Sequence, residues 1–323
     1  MNSNPSVIIS VLNWNNASDT IRCINSLLLL DYKQFEIVVV DNASTDGSIQ
    51  LIEAKFPEVR VVKSKSNLGY AGGNSLVVDS AIKEEFDAVW VLNNDAIAEK
   101  DSLSSLVSSW QQNGEGIFGS VIVNQITKFV EFSGGYELND SGELDIKSIY
   151  NNLPKIDVLH HIEKYGKLRK VADVNGASIF IPMSVLKKVG FMSERFFLYA
   201  EELEYCFRLK KEFNISSFIV NNSIVYHEGS ASFEKNKGLK PIQQYYNRRN
   251  FTWLQIHHFD VSKSDIINKM GGRKVFFIRL LKCFLSSLFF YKPSPDTEMI
   301  AIFHAFKNKL GRVYDPEKFI ENG

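Results

Sequence analysis

The stretch Val89-Trp90-Val91-Leu92-Asn93-Asn94-Asp95 decides how the chain is read. From Ala88 to Leu92 every side chain is apolar, and the run then passes into two amides and a carboxylate. A continuous apolar run of that length fits a central strand covered on both faces. The polar trio falls at the carboxyl end of the strand, where open α/β sheets place ligands. One carboxylate there suits a hard divalent cation whose other oxygens come from substrate phosphates. A plain polar turn closing a strand would use the same residues, so the neighbouring sequence has to decide.

Upstream, strands and helices alternate. Val7 to Leu12 reads as a buried strand, followed by a helix capped by Asn16 or Ser18, with Ile21, Ile24, Leu27 and Leu28 at helical spacing. Phe35 to Val40 is a second strand, Ile49 to Ala54 a helix, Val59 to Val62 a third strand, and a helix precedes the central run. This alternation with short loops predicts a parallel sheet with right-handed crossovers. Two loops at strand ends carry polar chemistry. In Asp41-Asn42-Ala43-Ser44-Thr45-Asp46-Gly47-Ser48, Asp41 is placed to accept hydrogen bonds from a base or ribose. In Asn67-Leu68-Gly69-Tyr70-Ala71-Gly72-Gly73-Asn74, three glycines would let backbone N–H groups approach a phosphate. Their spacing is not the dinucleotide fingerprint. Helix caps and ordinary turns are the plain alternatives.

Downstream, Ile117 to Val123 is a further strand, with short strands around Phe129 to Phe132 and a polar stretch to about residue 170 that shows no pattern. Val174 to Pro182 reads as a strand closely approached at Gly176, and Ser184 opens a short helix ending at Gly190. The run Glu194-Arg195-Phe196-Phe197-Leu198-Tyr199-Ala200 then enters a helix with Glu201, Glu202 and Glu204 in its first turn, where carboxylates suit the helix dipole. Glu201 and Glu202 point about 100° apart, so at most one of them faces a pocket. Ser217 to Val220 and Ser223 to Tyr226 read as two strands, the second ending at His227.

Bulk properties exclude little. With 37 basic and 37 acidic residues, no global field favours nucleic acid, and no nucleic-acid motif is present. Cys23, Cys206 and Cys283 are far apart, which argues for reduced thiols in a cytoplasmic setting. Met1-Asn2-Ser3-Asn4-Pro5 carries no basic and apolar leader pattern, so secretion is not expected.

Together these residues resemble family 2 glycosyltransferases, in particular bacterial rhamnosyltransferase-type enzymes of surface polysaccharide synthesis. The resemblance runs over about residues 6 to 255. It rests on Val39 to Gly47, Asn67 to Asn74, Leu92 to Asp95, the Phe197-to-Arg208 helix entry, His227 and Tyr245-Tyr246-Asn247-Arg248-Arg249-Asn250. It implies an α/β GT-A fold, a Rossmann-like, mostly parallel central sheet flanked by helices, over 1–255. A helical C-terminal extension would fill 256–323. It also implies roles. Asp41 would bind the base, with Asn15, Asn67, Gly69 and Asn94 around the nucleotide. Asp95 would hold Mg²⁺ or Mn²⁺, with His227 completing the metal shell. Tyr246, Arg249 and Asn250 would lie near the diphosphate. The family's catalytic base is the Asp of a Glu-Asp pair; this chain has Glu202 there, one methylene longer, beside Glu201.

The implied reaction is inverting transfer of a sugar from a nucleotide-diphosphate donor, such as dTDP-rhamnose or a UDP-sugar. The acceptor would be a lipid-linked or free oligosaccharide. A nucleotidyltransferase would need a basic loop after the first strand, and Asn13-Trp14-Asn15-Asn16 has no basic residue. An inactive glycan-binding module would have no use for Asp41, Asp95, Glu202 and His227 together. Finally, Val275 to Tyr291 is mostly apolar, with Arg279, Lys282 and Ser286 forming a narrow polar stripe. That pattern predicts a helix lying on the inner face of the cytoplasmic membrane, the alternatives being a core helix or a homodimer contact.

Overall fold

The structure is a computed structural model, and it describes residues 4–134, 137–138, 144–145, 158–227, 239–287, 297–314 and 316. The described residues fall into two compact units, one within Met1–Met192 and Glu202–Gly229, the other within Ser193–Glu201 and Ser230–Gly323.

The first unit begins β1 (Val7–Asn13), α1 (Ala17–Leu28), β2 (Phe35–Asp41), α2 (Ser48–Lys55), β3 (Arg60–Lys63), α3 (Gly69–Lys83) and β4 (Ala88–Asn93). It continues through β5 (Ala96–Ala98), α4 (Ser102–Asn113), β6 (Ile117–Asn124), β7 (Val130–Phe132) and a separate ribbon of β8 (Glu137–Leu138) with β9 (Leu144–Asp145). It closes with α5 (Val158–Tyr165), β10 (Leu168–Val171), β11 (Ser178–Pro182), α6 (Met183–Val189), α7 (Glu201–Phe213) and β12 (Ser217–His227).

One sheet has the order β10-β12-β6-β11-β4-β1-β2-β3, with β5 added to β12 and β7 to β6. The half formed by β4, β1, β2 and β3 is parallel, as the alternation of strand and helix predicts. Antiparallel β11 separates β4 from β6. Because β11 reverses direction twice over, β6 and β12 point the same way as β4. The carboxyl ends of β1, β2, β4, β6 and β12 therefore share one edge of the sheet.

Side-chain alternation explains why the central strands read as continuous apolar runs. Ile9, Val11, Val39, Trp90 and Leu92 pack on one face with Cys23, Ile24 and Leu27 of α1. Ile8, Val38, Val40, Val89 and Val91 pack on the other with Val77 and Val78 of α3. Both faces are covered, so neither shows polar alternation. The indole N–H of buried Trp90 donates to Ser178 Oγ at 2.9 Å, which satisfies its one polar atom.

Several local expectations are corrected. Ser217–His227 is a single strand; a register shift between Val220 and Ile224 breaks its pattern where the sequence shows two runs. The strand expected from Val174 starts only at Ser178. The helix after it starts at Met183 rather than Ser184. Asn16, not Ser18, caps α1, accepting from the Asp19 N–H. Leu28, expected on the apolar face of α1, is 44% exposed.

The second unit comprises a 3₁₀ turn at Glu194–Phe196, α8 (Lys240–His257), α9 (Lys263–Lys269), α10 (Gly272–Ser287) and α11 (Thr297–Phe306). A boundary at residue 255 falls inside α8, which groups with the C-terminal helices instead. Ile266, Phe276, Leu280, Met299 and Ile302 form a small core there. The expected apolar helix exists as α10, but Arg279 of its polar stripe lies 3.6 Å from Glu298 of α11. The side chains of Lys282 and Ser286, like residues 288–296, lie outside the described residues. Among the described residues no helix is long and apolar enough to cross a membrane.

Candidate active site

The first component of the site is the loop after β2. Asp41 is the last residue of β2, stands in register with Asn13 of β1 and is 6% exposed. Its Oδ1 accepts from the Ser44 N–H at 3.1 Å, which folds the loop back on itself. Asn15 has a left-handed backbone (φ 50°), and its Oδ1 accepts from the Thr45 N–H at 2.7 Å. Asn42 links this loop to the next strand end, donating to Asn67 Oδ1 (3.1 Å) and accepting from the Leu68 N–H (2.8 Å). Asn67 Oδ1 also accepts from the Gly69 N–H at 2.9 Å, and Gly69 has φ 76° where α3 begins. Gly72 and Gly73 are both buried within α3, and a Cβ on Gly73 would lie 2.4 Å from Leu12 Cδ1, so at Gly73 helix–strand packing requires the missing side chain.

The second component follows β4. Asp95 is 6% exposed, and its Oδ1 lies 3.0 Å from Nε2 of His227, the last residue of β12. Asn93 Nδ2 approaches the same ring nitrogen at 3.3 Å. Asn94 Nδ2 turns away and donates to Thr20 Oγ1 of α1 at 2.9 Å. Among the described residues no cluster of three His, Cys, Asp or Glu side chains would hold a metal alone. The converging oxygen and nitrogen of Asp95 and His227 fit a hard cation shared with ligand phosphates, and not a cage made wholly of protein. Behind this segment, Cys23 lies 3.6 Å from the Asn93 carbonyl oxygen. Burial and the Asp95 charge push its thiol well above the ordinary range, so it is an inert packing group.

The third component is the start of α7. Gly176, in the loop leading to β11, lies at the same sheet edge, because Ser178 stands opposite Leu92 and the Asn93 N–H donates to the Ala177 carbonyl at 3.1 Å. A Cβ on Gly176 would lie 3.4 Å from Tyr70 Oη and 3.7 Å from Glu202 Cδ, so a bare backbone face separates those side chains. The Tyr70 hydroxyl donates to the Gly176 carbonyl. Glu202 is half-buried, and its carboxyl pKa is raised by desolvation, against lowering by its own and the Leu203 N–H groups. Glu201 is 3% exposed. Glu204 pairs with Arg208 at 2.9 Å, as their spacing predicts, and Arg208 also donates to the Phe191 carbonyl.

Tyr246, Arg249 and Asn250 lie on α8 in the second unit, all fully buried. Arg249 donates to the carbonyls of Phe196 (2.8 Å) and Gly311 (2.7 Å) and to Asn250 Oδ1 (2.8 Å). Asn250 donates to the carbonyls of Phe196, Leu198 and Tyr199. Tyr246 Oη donates to the Tyr314 carbonyl and accepts from the Val313 and Tyr314 N–H groups. These three side chains are thus committed to backbone: they hold the Phe196–Tyr199 loop, whose Phe197 and Tyr199 have positive φ, and the 311–314 segment. Arg249, expected near the diphosphate, thus places two N–H groups on the carbonyls of Phe196 and Gly311 and one on Asn250 Oδ1. Arg249→Ala should therefore lower the unfolding free energy by at least about 2 kcal/mol, since buried acceptors lose their donors. Denaturant unfolding checks this; an unchanged midpoint would show that the guanidinium carries no structural role.

Sequence reading missed Asn13, Thr20 and Trp14. Asn13 and Thr20 are fully buried polar residues that join loops far apart in sequence, and no linear pattern marks them. Trp14 Nε1 is buried with no hydrogen-bond partner among the described residues.

Comparison with known proteins agrees with the architecture. The family model described as glycosyl transferase family 2 matches residues 6–190. The low-salt glycan biosynthesis hexosyltransferase Agl10 of Haloferax volcanii is 28% identical over 178 residues, covering 55% of this chain and 54% of that protein. The chain thus spans about half the length of that relative. An N-acetylglucosaminyl-diphospho-decaprenol L-rhamnosyltransferase of Mycobacterium tuberculosis is 23% identical over 233 residues, covering 65% of this chain and 72% of that protein. Among solved structures, the mannosyltransferase PcManGT of Pyrobaculum calidifontis, in complex with GDP-Man and Mn²⁺, shares the fold with a TM-score of 0.54 and 12% identity, covering 95% of this chain and 88% of that one. GalNAc-T7 with UDP, GalNAc and Mn²⁺ gives a TM-score of 0.57 at 13% identity, over 99% of this chain and 57% of that one. The fold is the GT-A fold of glycosyltransferases, with a helical C-terminal region. With a family model covering more than half of its length, the chain belongs to glycosyl transferase family 2.

Proposed function

We propose that the protein is an inverting, metal-dependent glycosyltransferase that moves a sugar from a nucleotide-diphosphate donor to a hydroxyl of a saccharide acceptor. The observation that carries this reading is the convergence of Asp95 Oδ1 and His227 Nε2 to 3.0 Å, at the sheet edge that also bears Asp41. Asp41, with Asn15, Asn67, Gly69 and Asn94 around it, receives the nucleotide. Asp95 and His227 would hold Mg²⁺ or Mn²⁺, which neutralises charge on the departing diphosphate. Glu202 takes the proton of the acceptor hydroxyl as its oxygen bonds to the anomeric carbon. The bond from that carbon to the diphosphate oxygen breaks, with inversion. A raised pKa brings a carboxylate base closer to neutral pH, where general bases work best. Melting curves with UDP-, dTDP- and GDP-sugars, each with Mn²⁺ and with EDTA, test the reading. A rise in Tm that needs both donor and metal is expected, and no rise with any pair would count against it.

The name of the Mycobacterium tuberculosis relative supports rhamnose as the sugar and an acceptor carried on a polyprenyl diphosphate, and with them we place dTDP-rhamnose or a UDP-sugar as donor in surface polysaccharide synthesis. A lipid-linked acceptor requires the enzyme to work at a membrane face. On α10, Val275, Phe277, Ile278 and Leu281 are 41–61% exposed, on an arc opposite buried Phe276 and Leu280. By the helical step of about 100°, Lys274 falls within that arc, where its stem can lie along apolar surface and its charge can reach headgroups. This surface supports peripheral binding to the inner leaflet. The full chain is expected to sediment with vesicles containing phosphatidylglycerol, and Phe277→Glu with Leu281→Glu to leave it in the supernatant. If the wild type stays in the supernatant and is dimeric by sedimentation velocity, the arc is a homodimer contact instead.

A further inference from the structure

Four residues spaced along the chain form one directed line of hydrogen bonds between the ends of β4 and β2. Asn94 Nδ2 donates to Thr20 Oγ1 at 2.9 Å. Thr20 Oγ1 lies 2.8 Å from Asn13 Oδ1 and 2.8 Å from the Asn16 carbonyl, which share its proton. Asn13 Nδ2 donates to Ser44 Oγ at 3.1 Å and to Ser48 Oγ at 3.0 Å. The Ser44 N–H donates to Asp41 Oδ1 at 3.1 Å, and Ser44 Oγ also accepts from the Asn15 N–H at 3.0 Å. Thr20 and Asn13 are fully buried, so water does not interrupt the middle of the line.

Asn94, Thr20 and Asn13 each donate in the direction of Ser44, whose backbone N–H in turn donates to Asp41, and groups linked head to tail, as the first three are, polarise one another in a low-dielectric interior. The line also fixes geometry. Asn94 precedes Asp95 directly, and α1 contacts both residues before Asp95, Thr20 accepting from Asn94 and Cys23 lying 3.6 Å from the Asn93 carbonyl. Hydrogen bonds thus join the Asp41–Ser44 turn, through Asn13 and Thr20, to the residue beside Asp95. No part of this requires the ligand bound at one end to touch the other.

We propose that Thr20 and Asn13 are positioning residues that couple occupancy of the base subsite at Asp41 to cation affinity at Asp95 and His227. The proposal rests on the functional reading above. Its consequence is that a nucleoside without phosphates, which cannot ligate the cation, tightens cation binding. By reciprocity the cation tightens nucleoside binding by the same factor.

Free Mn²⁺ counted by electron paramagnetic resonance, with and without saturating uridine or thymidine, measures that factor. In the wild type one nucleoside should tighten Mn²⁺ by about fivefold or more, the lower end of ordinary coupling. Thr20→Val, which keeps the shape and removes the hydroxyl, should bring the factor to about one, while Thr20→Ser restores it. Ser44→Ala, in the half-buried loop, severs the line at its other end and should act like Thr20→Val if that variant does not fold. A factor unchanged in Thr20→Val or in Ser44→Ala, or a factor of about one in the wild type, overturns the coupling. Calorimetry with UDP and dTDP in the wild type separates this from failure of the functional reading. Diphosphate binding that tightens with Mn²⁺ while the nucleoside factor stays at one removes the relay alone; nucleotide binding indifferent to Mn²⁺ removes both.

Discussion

Glu202→Gln is expected to lower kcat by about 10²–10⁴-fold while leaving donor affinity nearly unchanged, because a general base contributes roughly that much. Glutamine keeps the size of the side chain and most of its hydrogen bonds, but it does not accept the acceptor's proton. The half-buried Glu202 carboxyl lies beside the bare face of Gly176, whereas Glu201, one residue earlier, is 3% exposed. Glu201→Gln is therefore the control and should retain turnover. The pH profile provides a second readout. Desolvation raises the Glu202 pKa, so a larger fraction is protonated and idle at a given acidic pH. The acidic limb of kcat/KM should accordingly lie above the ordinary carboxylate range, with activity lost as pH falls through the raised pKa. Rates for both variants at saturating substrates decide the matter. A dead Glu201→Gln beside a near-normal Glu202→Gln would exchange the two roles.

Asp95→Ala is expected to remove metal-dependent donor binding and leave the fold intact. Asp95 is the carboxylate at the end of β4 that meets His227 at 3.0 Å, and among the described residues no third His, Cys, Asp or Glu joins them in a metal-holding group. Losing one of two protein ligands leaves a single imidazole and the ligand's own oxygens, too few to fix the cation. Calorimetry with a nucleoside diphosphate, with Mn²⁺ and with EDTA, should show a metal-dependent gain in the wild type and none in the variant. A gain of equal size in the variant would take Asp95 out of the metal site.

The parallel half of the sheet was legible because its strands are buried on both faces and separated by amphipathic helices. Ala88 to Leu92 is an unbroken apolar run, Val7 to Leu12 and Phe35 to Val40 are interrupted only by Ser10 and Glu36, and all three strands end in polar residues. The edge bearing Asp41 and Asp95 follows from the same pattern. What sequence could not show is pairing between distant segments. Nothing local says that Ser178–Pro182 inserts antiparallel between β4 and β6, and it is that insertion which brings Gly176 to the edge of β4. The structural part of the α8 residues was not legible for a related reason: Arg249 satisfies carbonyls of Phe196 and Gly311, segments that only the tertiary fold brings to it. The packing role of Gly73 was not legible because a close helix–strand contact and a phosphate cradle ask for the same residue, and only Leu12, against Gly73, shows the contact.

Release of nucleoside diphosphate from a panel of UDP-, dTDP- and GDP-sugars, followed with Mn²⁺ and with EDTA, tests the central claim most directly. At least one donor should be split in the presence of the metal, EDTA should abolish the reaction, and Asp95→Ala should do the same. A donor split equally well in EDTA, or by the Asp95→Ala variant, would contradict a metal-dependent transfer centred on Asp95 and His227.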